Sequence, residues 1–256
     1  MKISFAKYQG TGNDFVLIDN RTKFFPKGNL ELIRQLTKNK FGIGADGIIL
    51  VENHSILDFE MVYFNADGSQ SLCGNGSRCA VQFAKDLGII NNQTKFSTYD
   101  GEHDAFFRDG LVYFSLQDLK GISFRENYFF VNNGSPHYVT FVSNVENIDV
   151  KRLGAEVRYS KEFSSAGTNV NFVEIDHQLL KVRTYERGVE AETLSCGTGV
   201  TASAIVAAYA FEMESPMIIE SRGGQLFVSF VKQGERFSEI YLAGPAIKVF
   251  EGSIDV

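Results

Sequence analysis

Apolar and polar positions alternate along most of this chain, and the alternation gives way to helical spacing at only a few places. Residues 3–19 read as two strands around the turn Gly10-Thr11-Gly12-Asn13-Asp14. The stretch Phe15-Val16-Leu17-Ile18-Asp19 is apolar enough to be buried on both faces. Leu30, Ile33 and Leu36 share one face of a short helix over residues 29–38. A glycine-rich turn at 41–47 then opens a strand at 48–51, and residues 59–64 form another. Short strands are expected at 95–99, 104–108 and 111–116. The second half predicts strands at 128–132 and 138–142, a helix near 150–156, and strands at 170–175 and 180–185. Further strands fall at 217–221, 225–230, 239–242 and 246–250.

Two helices begin in the same unusual way. Cys73-Gly74-Asn75-Gly76 precedes a pattern in which Ala80, Phe83, Ala84 and Leu87 recur at helical spacing, with Gly88 as a stop. Cys196-Gly197-Thr198-Gly199 precedes a helix rich in small residues, through Ala207, Ala208 and Ala210. A cysteine at a helix mouth faces unpaired amides and the positive end of the helix dipole. Both attract anions and favour the thiolate. Cys73 and Cys196 are therefore candidate reactive thiols. Cys79, further into its helix, reads as a small buried hydrophobe.

The two halves superpose as sequence. Cys73 and Cys196 are 123 residues apart, Gly44 and Gly167 share that offset, and Gly12-Asn13 meets Gly134-Ser135 at 122. Three anchors in one order imply an internal duplication. The expected fold is α+β: two pseudo-symmetric lobes, each a mostly antiparallel, barrel-like sheet around a central helix, with a cleft between them. The expected lobes are 1–118 plus 247–256, carrying Cys73, and 119–246, carrying Cys196.

Composition narrows the function classes. The chain has 256 residues, 44% hydrophobic and 22% charged, with a net charge of -6. That balance and the scatter of basic residues argue against a nucleic-acid partner. No stretch reaches the length of a membrane helix. The first residues lack a signal peptide's apolar centre, and three cysteines are not a secreted framework. A cytoplasmic protein is expected. The cysteines and the four histidines show no zinc-site spacing, so no metal is expected.

Two thiols on either side of one carbon can invert a stereocentre. One thiolate removes the α-proton of an amino acid while helix-mouth amides hold its carboxylate and the charge that develops. The opposite thiol returns a proton to the other face. The pair titrates as a unit, and ordinary thiol acidity, with a pKa of about 8.5, suits it near neutral pH.

The chain resembles the diaminopimelate epimerase family over nearly its whole length. The resemblance rests on Gly10-Thr11-Gly12-Asn13-Asp14-Phe15, Asn65-Ala66-Asp67-Gly68-Ser69, Cys73-Gly74-Asn75-Gly76, Tyr185-Glu186-Arg187-Gly188, Cys196-Gly197-Thr198-Gly199 and Gly244-Pro245-Ala246. It implies cofactor-independent interconversion of LL- and meso-2,6-diaminopimelate, a step toward lysine and peptidoglycan precursors, by a homodimer. It implies Cys73 and Cys196 as the acid-base pair. Asn13, Asn65 and Asn169 would bind substrate, with Glu186 and Arg187 on its distal amino acid end. Gly74, Asn75, Gly197 and Thr198 would supply carboxylate-binding groups, and His137 and Glu186 would tune the cysteines. A guanidinium suits a carboxylate and a glutamate suits an ammonium, in keeping with those roles.

Three positions depart from the family pattern. Ser135 stands where asparagine is usual, Gly47 where some members have a substrate-contacting glutamine, and Glu190 where glycine is common. The alternatives are a proline- or hydroxyproline-type racemase, a phenazine-pathway isomerase, or a non-catalytic binding protein of the same fold. The racemases usually carry histidine at the position of Asn75, and the phenazine relatives lack the cysteine pair. Asn75 and the Glu186-Arg187 pair favour diaminopimelate.

Overall fold

The computed structural model describes all 256 residues. They form seventeen strands and four α-helices. The chain divides into two compact units, Met1–Phe114 with Gly244–Val256, and Ser115–Ala243.

The first unit opens with the antiparallel hairpin β1 (Lys2–Gly10) and β2 (Asn13–Asp19), in register with Ala6 opposite Leu17. Thr11 and Gly12 take positive φ between them, which closes the turn. After α1 (Leu30–Thr37), β3 (Gly47–Glu52) lies parallel to β2, and β4 (Phe59–Asn65) antiparallel to β3. Next come α2 (Gly74–Asp86) and β5 (Gln93–Thr98), parallel to β4. An antiparallel meander, β6 (Gly101–Arg108) and β7 (Leu111–Leu116), follows.

The second unit repeats this order. β8 (Ser123–Arg125) pairs with β9 (Tyr128–Asn132), and β9 pairs antiparallel with β10 (Pro136–Phe141). After α3 (Val150–Arg158), β11 (Asn169–Asp176) lies parallel to β10, and β12 (Leu179–Glu186) antiparallel to β11. The short β13 (Ala191–Thr193) leads to α4 (Gly197–Phe211). β14 (Met217–Ser221) is then parallel to β12, and β15 (Gly224–Gln233) and β16 (Arg236–Gly244) continue antiparallel. Finally β17 (Ile247–Asp255) returns to the first unit and pairs antiparallel with β1.

The sequence of pairings is the same in both units: antiparallel, parallel, antiparallel, parallel, then an antiparallel meander. Equivalent helices also play equivalent parts. α1 covers one face of its sheet through Leu32, Ile33 and Leu36, which pack with Val16, Ile18 and Ile48. α3 does the same with Val150 against Val170, Phe172 and Tyr185. Asn29 and Asp149 cap these two helices, accepting from Leu32 N and Arg152 N at 3.1 Å each. Such caps contribute roughly 1 kcal/mol apiece.

The other two helices are the interior ones. Residues 197–208 of α4 are all buried, so its lack of a polar face follows from its place in the core. α2 is buried from Gly74 through Val81 and packs against β1, β2, β3 and β4. A mixed α/β fold, with a large, mostly antiparallel sheet and a central helix in each half, is therefore observed. No helix is long and apolar enough to cross a membrane.

Candidate active site

Each unit carries one half of the expected constellation, and each half is built around the mouth of its interior helix. Cys73 is the N-cap of α2 and Cys196 the N-cap of α4, both with extended backbone angles. Neither helix has an acidic residue in its first turn to offset the dipole. Cys73 is half-buried and its Sγ accepts from Gly76 N at 3.4 Å. Cys196 is only 6% exposed, and its Sγ lies 3.7 Å from Thr198 Oγ1. Cys79 is wholly buried, and burial pushes its thiol up to about 12. It stays protonated and inert.

In the first unit, Asn13, Cys73 and Asn75 come together. Asn13 Oδ1 lies 3.6 Å from Cys73 Sγ and 3.4 Å from Asn75 Nδ2. The other end of the Asn13 amide donates to Asp46 Oδ2, which also accepts from Asp14 N at 3.1 Å. Because the carboxylate only accepts, it fixes which end of Asn13 faces the cysteine. Gly74 is the first residue of α2, and its carbonyl receives Arg78 Nη1 at 3.3 Å.

Asn65 closes β4 and braces the loop after it. Its Nδ2 reaches Ser69 Oγ at 3.0 Å and Ser71 Oγ at 3.2 Å. Gly47 lies opposite Asn65 in the β3–β4 register. A Cβ there would sit 2.5 Å from both the Phe64 carbonyl oxygen and a Tyr63 ring carbon. The backbone thus leaves no room for a side chain at this position.

In the second unit, β10 and β11 run parallel with His137 beside Asn169. Asn169 Nδ2 donates to Pro136 O at 3.3 Å, and its Oδ1 accepts from Arg187 N at 2.9 Å. This ties the Glu186-Arg187 turn to the start of β11. Glu186 Oε2 accepts from Thr193 Oγ1 at 2.9 Å. The Arg187 side chain is exposed and donates to Ala166 O at 2.9 Å. Gly197 and Thr198 begin α4, and Asn133 Nδ2 donates to Thr198 O at 2.8 Å. Ser135 is half-buried, and its carbonyl accepts from Asn133 N at 3.3 Å.

Glu190 has a structural part. It takes positive φ and accepts from Gly188 N at 3.1 Å and Arg158 Nε at 3.2 Å. It thereby pins the turn before Cys196 to α3.

His137 is completely buried, and burial, followed by the charge of Arg187, lowers its pKa to about 3. The imidazole is neutral. Asn171 Nδ2 lies 3.2 Å from His137 Nδ1 and donates to Tyr138 O at 2.9 Å, while Thr184 Oγ1 donates to Asn171 Oδ1 at 2.9 Å. A Cβ at Gly199 would meet Asn171 Oδ1 at 2.4 Å and Cys196 Sγ at 3.3 Å, so this network adjoins the α4 mouth.

Asp46, Arg78, Asn133, Asn171 and Thr184 escaped the sequence reading. Their partners lie elsewhere in the chain or, for Arg78, on its own helix. A usable signal existed for Arg78 alone: a full charge in an otherwise buried helix. No group of three or more His, Cys, Asp or Glu side chains is placed to hold a metal ion.

Solved structures place this architecture in a known class. A phenazine biosynthesis protein of Bacillus anthracis matches with a TM-score of 0.81 over all of both chains, at 13% identity. A hydroxyproline epimerase of Agrobacterium vitis, solved with trans-4-hydroxy-L-proline bound, matches at 0.68, covering 99% of this chain and 92% of that one at 14% identity. At such identities the likeness is one of fold. The fold is thus the one these two proteins share.

Sequence comparison goes further. The family model for diaminopimelate epimerase matches residues 5–108 and 129–249. The diaminopimelate epimerase of Flavobacterium psychrophilum is 50% identical over 255 residues, 97% of this chain and 98% of the other. This chain belongs to the diaminopimelate epimerase family.

Proposed function

We propose that the protein epimerises LL-2,6-diaminopimelate to the meso form without a cofactor, by a two-base mechanism between Cys73 and Cys196. The observation that carries this reading is the matched pair of cysteine N-caps, one in each of two units with the same strand order. Membership in the family supplies the substrate.

In this mechanism the substrate α-carbon lies between the sulfurs. The thiolate on one side takes the α-proton and becomes a thiol. The electron pair left on carbon delocalises into the carboxylate, whose added charge the α2 and α4 amides stabilise. The thiol on the other side then donates its proton to the opposite face of the carbon and becomes a thiolate. The reverse reaction exchanges the two roles.

Asn13, Asn65 and Asn169 orient the substrate, and the first-turn residues Gly74, Asn75, Gly197 and Thr198 bind its carboxylate. Glu186 and Arg187 take the ammonium and carboxylate of the distal end, which selects a substrate with two amino acid ends. His137 and Glu186 bias the charge on the cysteine pair. His137 does so as a buried, neutral imidazole.

Dimerisation and a cytoplasmic location belong to the same reading. Ile247, Val249 and Phe250 are exposed on β17 and offer apolar surface to a second copy. Sedimentation at low concentration tests the dimer. Neither nucleic acid nor membrane is a partner in this account, in keeping with the net charge of -6.

The decisive test is an assay in D2O with LL-diaminopimelate, no added cofactor, and proline as control. The reading requires meso product with deuterium at the α-carbon, and no exchange into proline. A protein that binds diaminopimelate without exchanging its α-hydrogen would be a binding protein of the same fold.

A further inference from the structure

Arg78 is the largest side chain in the molecule with no exposure at all. A buried guanidinium normally has a carboxylate beside it, because an isolated charge in the interior is costly. Arg78 has none. Its Nη1 donates to Gly74 O at 3.3 Å, and its Nη2 to Asn75 Oδ1 at 3.0 Å and Thr11 Oγ1 at 3.3 Å. Its Nε has no partner. A Cβ at Gly10 would lie 3.3 Å from Nη2, so the β1–β2 hairpin closes directly over it.

Every hydrogen-bond partner of Arg78 belongs to the α2 mouth or to the hairpin that carries Asn13. Asn75, which receives Nη2 on one side, donates to Asn13 Oδ1 on the other, and Asn13 Oδ1 faces Cys73 Sγ. The acidic groups whose ionisation its charge would favour are the thiols of Cys79 and Cys73. Cys79 is held protonated by burial. Cys73 alone is left to become an anion there.

We infer that Arg78 is a positioning residue that acts through Cys73, as the buried counter-charge that makes the Cys73 thiolate accessible. The inference rests on the epimerase reading only for its catalytic meaning. The charge relationship stands on the geometry of the first unit. Cys73 is then poised between two forms. As a thiol it donates to Asn13 Oδ1. As a thiolate it is met by Gly76 N, the α2 dipole and the guanidinium. A residue that must be base in one direction and acid in the other needs both.

Other charges near α2 are already engaged or distant. Asp46 is reached through Asn13, Lys7 pairs with Asp14 at 2.7 Å, and Tyr8 donates to Asp86. On β3 and β4, Glu52 and Glu60 face each other at the end of the strands far from Asn65, and Lys85 lies in the last turn of α2. Tyr63 lies beside Gly47, where its ring approaches the strand backbone.

The test needs no substrate. The rate of alkylation of Cys73 by iodoacetamide is followed across pH, with each cysteine read separately by peptide mass spectrometry. In the wild type the Cys73 profile should have its midpoint below the free-thiol value of about 8.5. A midpoint at or above that value overturns the inference. In Arg78→Met the midpoint should rise by about one unit, and alkylation at pH 7 should slow about tenfold. Arg78→Lys should retain most of the wild-type behaviour.

Circular dichroism and an unchanged Cys196 profile establish that Arg78→Met is folded. A folded Arg78→Met with the wild-type Cys73 profile makes the role purely structural and overturns the inference. If that variant does not fold, the wild-type midpoint decides. Failure of the diaminopimelate assay would leave these results untouched, so the two claims fall separately.

Discussion

Asn171 donates to Nδ1 of His137, and its orientation leaves no alternative. Its Nδ2 must face the Tyr138 carbonyl at 2.9 Å, because an amide oxygen there would meet another acceptor. The same Nδ2 lies 3.2 Å from His137 Nδ1, so Nδ1 is the acceptor and Nε2 carries the hydrogen. A backbone carbonyl on β10 thus sets the tautomer of a histidine one residue before it.

This predicts a pH dependence of stability with a definite sign. The folded pKa of His137 is about 3, below the ordinary value of 6.5, so the unfolded chain binds the extra proton between them. The stabilisation is fully present above about pH 6.5 and is lost as pH falls toward 3. Within that window His137 should add a slope of about 1.4 kcal/mol per pH unit to the unfolding free energy. Urea unfolding of the wild type and His137→Gln at several pH values measures it. Equal slopes would mean that the imidazole is not held neutral.

Loss of either sulfur should remove net turnover. Cys73→Ser and Cys196→Ser are each expected to lower epimerisation at least about a hundredfold, since a serine hydroxyl is a far weaker acid-base group. Single-turnover assays from both the LL and the meso side check this. Wild-type-like rates in either variant would rule out a two-base scheme.

Asp46 acts one step behind the first half-site. Asp46→Ala removes the acceptor that fixes the Asn13 amide, leaving it free to rotate away from Cys73. The expected result is a fall in kcat/KM of about tenfold, or roughly 1.4 kcal/mol, with little loss of melting temperature. Asp46→Asn keeps an acceptor for Asn13 Nδ2 and should recover most of the activity.

Gly47→Gln would install the side chain that the family resemblance leads one to expect there. Here its Cβ must displace the Phe64 carbonyl or the Tyr63 ring. A destabilisation of about 1–3 kcal/mol is expected, with no gain in affinity for diaminopimelate. Thermal melts and KM values measure both. A stable variant with lower KM would show that β3 and β4 separate readily.

The strands were legible wherever alternation was strong. Residues 111–116, 128–132 and 217–221 were read with the bounds that the structure gives. The three-residue strands β8 and β13 were missed, because three residues cannot display a period. The cysteine N-caps were legible because a Cys-Gly-X-Gly step into a helix is local. The residues that support them were not. Asp46 meets Asn13 across 33 positions and Asn171 meets His137 across 34. Such pairings exist only once parallel strands have brought two crossovers together, and a single sequence carries no trace of them.

The last strand has a consequence for how the protein is made. β1 finds its partner β2 within a few residues, but its other edge is covered only by β17, at the far end of the chain. The second unit, by contrast, is one uninterrupted run of polypeptide. On the ribosome, the first unit therefore keeps an open strand edge until β17 has been made, after the whole of the second unit, which can close before it.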